Sequence, residues 1–173
     1  MGCVILALSA ATSPALGQPP RERAVPESGR ADMVIAGEGG SVEVALTVRA
    51  ASLVGFEGSP SSDAQRRALV VTRGNLSTGD GLIRFSTRAA CRLSHAEVDM
   101  DPERASGDRA ARVLSARYRF DCDQPELLDS AALGLFVAFP ALQRVFVRYD
   151  LDGIRGEAGL NRSRPVVSFV PLQ

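Results

Sequence analysis

Lysine and tryptophan are absent from this 173-residue chain, and histidine occurs once, as His95. All 20 basic residues are therefore arginines, balanced by 20 carboxylates to a formal net charge of zero. The lack of lysine reads as coding bias rather than chemistry. An even charge balance leaves no clustered positive footprint, which sets aside nucleic acid and anionic lipid as partners. A single imidazole leaves one candidate base for triad chemistry, and no G-x-S-x-G elbow accompanies it. No phosphate-cradling loop is visible either, because Gly37 to Gly40 sits between two strand-like runs rather than ahead of a helix. The one markedly apolar opening run, MGCVILALSAATSPALG, is too short and too interrupted by Pro14 to cross a bilayer, so no transmembrane anchor is expected.

What is present is 45% hydrophobic content, enough for one core of ordinary size. Residues 1–17 resemble a signal peptide with a defective basic start, since no Lys or Arg stands between Met1 and the apolar run. Cleavage near Gly17 is expected, giving an exported, periplasmic protein. Residues 18–31, rich in Pro and Arg, read as a flexible leader, and 32–173 as one domain. Removal of Cys3 leaves Cys91 and Cys122, a pair that an oxidising compartment joins as a disulfide; two unpaired buried thiols are the alternative.

The apolar pattern is mostly of period two. Met33 to Ala36 and Val42, Val44, Leu46 and Val48 flank the glycine turn as a β-hairpin. Ser62-Asp63-Ala64-Gln65 has capping-box spacing before a helix to about Val71, terminated by Gly74-Asn75, with Ala64, Ala68 and Val71 facing the sheet. After a short strand at Leu82 to Phe85, two longer ones are expected, about Cys91 to Met100 and Val113 to Cys122. In the first, the apolar phase slips by one residue between Leu93 and Ala96, as a β-bulge near Ser94-His95 would cause. Centring the intervening loop near Ser106 pairs positions whose numbers sum to about 213, so Cys91 and Cys122 would face each other at about 4.5 Å or 5.5 Å between Cα atoms. Asp123 to Glu126 can cap a short helix, and 127–135 fits helix or strand equally. Val145 to Tyr149, a turn at Asp152-Gly153, Ile154 to Leu160 and Val166 to Phe169 complete the sheet. The expected class is α+β, a mainly antiparallel sheet with two or three short helices.

Few residues offer chemistry. Cys91, His95 and Cys122 could form a three-ligand zinc site if both thiols were free and His95 stayed on their face, but oxidation or the bulge would prevent it. Asp99, Asp101, Glu103 and Asp108 could hold calcium, yet they lack the ligand order of a calcium loop and are interleaved with Arg104 and Arg109, which favours a solvated loop. No catalytic, cofactor-binding or metal residues are therefore assigned.

Four words stand in order along the chain: LVGFEGSP at Leu53 to Pro60, Cys91-Arg92-Leu93, YRFDC at Tyr118 to Cys122 with Pro125 beyond, and LFVAFP at Leu135 to Pro140. In order and separation they resemble the ZrgA-like periplasmic proteins, a family of zinc-uptake accessories, over about residues 32 to 170. The resemblance implies a non-enzymatic exported protein that works beside a periplasmic or inner-membrane metal-transport component. The family's zinc chemistry rests on histidines ahead of the first strand, between the two cysteine-bearing strands and after the GFE word. Here those places read RAVPESGRA, DPERASGDRAA and Gly58, with no histidine among them. Fold and compartment are thus better supported than zinc binding, and a zinc-independent periplasmic binding or scaffold protein is the alternative.

Overall fold

Alternation builds the molecule outward from one hairpin. In the computed structural model, which describes residues 26–104 and 111–169, β1 (Arg30–Glu38) and β2 (Ser41–Arg49) pair antiparallel around a two-residue turn at Gly39-Gly40. Gly39 takes a φ of 59°, in the region that a side chain disfavours. Ala31, Met33 and Ile35 on one strand and Val42, Val44, Leu46 and Val48 on the other are buried, so the hairpin has one dry face. β1 starts inside the stretch read as leader, and Ala31 already lies in the core.

Around this hairpin β4 (Cys91–Arg104), β5 (Ala111–Cys122), β7 (Arg144–Leu151) and β8 (Ile154–Asn161) complete a six-stranded sheet in the order β4-β5-β2-β1-β7-β8. Its pairings are antiparallel except β1 with β7, which is parallel. The tight turn at Asp152-Gly153 joins β7 to β8, with both residues at positive φ. A second sheet, β3-β6-β9, is made of β3 (Ile83–Phe85), β6 (Ser130–Leu133) and β9 (Val166–Ser168). It lies over the dry face of the first: Phe85 meets Phe120 of β5 edge-on at 5.0 Å, and Phe169 meets Tyr149 of β7 at 5.1 Å. The fold is α+β and mainly antiparallel.

Among the described residues three helices accompany the strands: α1 (Ala51–Val54), α2 (Asp63–Ser77) and α3 (Leu135–Ala138). The ambiguous stretch 127–135 resolves as strand β6 followed, after Gly134, by the single turn α3. Pro125 to Leu127 form only a 3-10 turn.

α2 corrects the sequence reading in length and in phase. Its cap is as expected, the Ser62 hydroxyl accepting from the Gln65 amide at 3.2 Å. The helix does not stop at Gly74-Asn75 but runs to Ser77. A mid-helix glycine costs about 1 kcal/mol, less than the roughly 1.5–3 kcal/mol gained by burying a leucine, and the extension puts Leu76 fully in the core. Leu76 also sets the phase: counting back at helical spacing, Thr72 is buried and Leu69, Ala68 and Gln65 are half-buried, which leaves Val71 59% exposed. The expected inward face of Ala64, Ala68 and Val71 omitted this anchor.

Candidate functional site

β4 carries most of the residues singled out for metal chemistry, and Cys122 ends the neighbouring β5. Cys91 pairs with Cys122, Arg92 with Asp121 and Leu93 with Phe120, each summing to 213; beyond Leu93 the register slips, and His95 stands opposite Arg119. Ser94 is the extra residue of this bulge, its hydroxyl donating to the Arg119 carbonyl at 3.2 Å. Because Tyr118 and Phe120 point into the core, Arg119 between them points out, and His95 is exposed on that outer face. Cys91 packs against the core on the other face.

A disulfide joins Cys91 and Cys122, with Cα atoms 3.8 Å apart. The Cys122 amide donates instead to the Gly40 carbonyl at 2.7 Å, away from β4, so the pair is of the narrow, non-hydrogen-bonded kind. The zinc trio of Cys91, His95 and Cys122 therefore does not assemble: the thiolates are consumed in the link, and the imidazole lies across the sheet. As placed, these three residues do not fit zinc. Among the described residues no three His, Cys, Asp or Glu side chains come together in a way that could hold a metal ion.

Of the calcium candidates, Asp99, Asp101 and Glu103 lie within β4 rather than in a loop, while Asp108 lies outside the described residues. Residues 1–17 with Cys3, and most of the leader, lie outside them as well. A hollow of about 850 Å³ at one end of the large sheet is rimmed by Glu38, Glu43, Asp150 and Asp152. Its carboxylates are largely engaged: Glu43 pairs with Arg119, Asp150 with Arg155 at 2.7 Å, and Asp152 accepts the Gly39 amide at 2.9 Å. Arg92 likewise forms a bidentate pair with Asp123, both bonds 2.8 Å, and these bonds raise its pKa above the ordinary arginine value.

Two features were invisible in the sequence. The Tyr118 phenol is 2% exposed and donates to the Leu76 carbonyl at 2.9 Å; burial pushes its pKa well above the ordinary value. Gly79 lies against the same ring, leaving no room for a Cβ. The second feature is a groove of about 740 Å³ between β3 and β4, floored by Phe85, Cys91, Leu93 and Phe120. It exists only because the edges of two separate sheets come to face one another, which no local pattern announces. Just ahead of β6, the Asp129 carboxyl is held below its ordinary pKa by hydrogen bonds from the Ser130 hydroxyl and then from Arg88.

No helix among the described residues is long and apolar enough to cross a membrane. No curated protein matches the chain. The family model described as ZrgA family zinc uptake protein matches residues 25–169, which includes the disulfide-linked strands, the bulge and both sheets. The chain belongs to the ZrgA family of zinc uptake proteins.

Proposed function

We propose that this chain is an exported, periplasmic accessory of zinc uptake that acts by contact with a metal-transport component, without catalysis and without a tight zinc site of its own. The observation that carries this reading is the separation of His95 from Cys91 and Cys122 across the sheet in a chain of a zinc uptake family. Zinc at low concentration requires imidazole or thiolate donors held together, and carboxylates alone favour harder ions. The export assignment is supported by the signal-peptide-like start and by a disulfide in a chain of this size. Among the described residues no side-chain hydrogen bond joins His95, the one imidazole, to a nucleophile or an orienting carboxylate, which supports a non-enzymatic role.

Deleting the gene and growing the strain under zinc chelation tests the reading. Slow growth restored by added zinc or by the intact chain, with the chain recovered in the periplasmic fraction, is the expected result. Growth indifferent to zinc would favour the alternative, a zinc-independent periplasmic scaffold that keeps only the fold. Recovery from the cytoplasm would overturn export.

A further inference from the structure

The groove between β3 and β4 is bounded on both sides by sheet edges whose backbone groups face into it. On β3 the bonds run from Gly134 to Leu82 and from Ser86 to Ser130, so the intervening Phe85 turns its N–H and C=O away from β6. On β4 the non-hydrogen-bonded pairing of Cys91 with Cys122, repeated two residues on at Leu93 and Phe120, turns the N–H and C=O of Cys91 and Leu93 away from β5. Among the described residues none of these three amides has a hydrogen-bond partner, and all three residues are partly exposed. Two rows of unpaired backbone groups above an apolar floor match an extended polypeptide, which alone offers donors and acceptors at strand spacing on both of its edges.

Charge narrows the occupant. Arg92 beside the groove is committed to Asp123, while Asp80, which accepts the Gly81 amide at 2.9 Å and keeps its negative charge, lies in the turn before β3 rather than on the strand itself. Arg84, pointing outward between the inward Ile83 and Phe85, is exposed and pairs with no carboxylate among the described residues. An inserted strand that sends an apolar side chain down toward Phe85, Leu93 and Phe120 sends its neighbour up, toward Arg84.

We propose that this groove binds an extended segment of another protein by strand addition, the segment carrying an apolar residue next to an acidic one. Bound in this way, the segment bridges β3 to β4 and joins the two sheets into one. The inference rests on the reading of the chain as a protein that acts by contact, and it names where that contact is made.

The probe is a displayed library of random twelve-residue peptides, panned on the intact oxidised chain and followed by a synthetic peptide of the enriched sequence. The expected result is enrichment of adjacent apolar and acidic residues, with the Phe85, Cys91 and Leu93 amides protected from hydrogen exchange on binding. Arg84→Glu, an exposed change that leaves the core untouched, should weaken the peptide about tenfold. Failure to enrich any peptide, or enriched peptides indifferent to Arg84→Glu that leave the three amides exchanging, would overturn the proposal. So would self-association abolished by Arg84→Glu, which would make the occupant a second copy of this chain. Peptide binding is measured apart from growth under zinc chelation, so loss of the groove and loss of the zinc role are separate results.

Discussion

Cys91 and His95, four residues apart on β4, stand on opposite faces of the sheet. Strict alternation would have placed them on one face; the extra residue Ser94 reverses the phase between them. The outcome is a division of labour, in which the cysteines staple the edge strand to β5 and the histidine is left on the solvent side. A strand edge fixed in this way also forms one wall of the groove facing β3.

Reducing the disulfide should destabilise the protein substantially. The link closes a loop of sequence separation 31, for which the chain-entropy estimate is about 3–4 kcal/mol. For a domain of this size that corresponds to a fall in Tm of about 10 °C. Thermal unfolding followed by circular dichroism, with and without reductant, measures it; an unchanged Tm would mean that the link contributes little to the folded state.

Tyr118→Phe removes the bond to the Leu76 carbonyl and leaves that buried acceptor unsatisfied, at a cost of about 1–2 kcal/mol. The same phenol predicts an alkaline limit. Its pKa is raised in the folded state by burial, so its contribution is complete below the unfolded value near 10 and is lost as pH rises above it toward the folded value. Chemical denaturation between pH 8 and 11.5 should show a decline for the wild type that is shallower in Tyr118→Phe.

Gly79→Ala should be destabilising by about 1–3 kcal/mol, because the new methyl group would enter the Tyr118 ring. The loss should shrink in a Tyr118→Leu background, where the opposing ring is gone, and a double-mutant cycle by urea denaturation reads the coupling. Additive losses would place the strain elsewhere.

Much of this architecture was legible where a single strand carries its own signal. The alternation of Leu114, Ala116, Tyr118, Phe120 and Cys122 gave the inward face of β5, and the phase slip after Leu93 gave the bulge. Long-range consequences were hidden. Leu76 decides both the length and the rotation of α2, but its worth depends on a core assembled from distant strands. The parallel pairing of β1 with β7 joins segments more than a hundred residues apart, and β6 with α3 shares one apolar composition across a strand and a helical turn. Both strands that wall the groove were expected from their own residues, but that they end two separate sheets and face one another depends on the whole assembly.

Zinc calorimetry on the oxidised mature domain, which lacks Cys3, decides whether this fold holds zinc by itself. With one exposed imidazole and both thiols in a disulfide, zinc should bind with a Kd no tighter than about a micromolar, roughly 8 kcal/mol. His95→Ala should leave the titration essentially unchanged. A Kd well below a micromolar at one zinc per chain, lost in His95→Ala, would contradict the account by showing that the histidine does belong to a metal site.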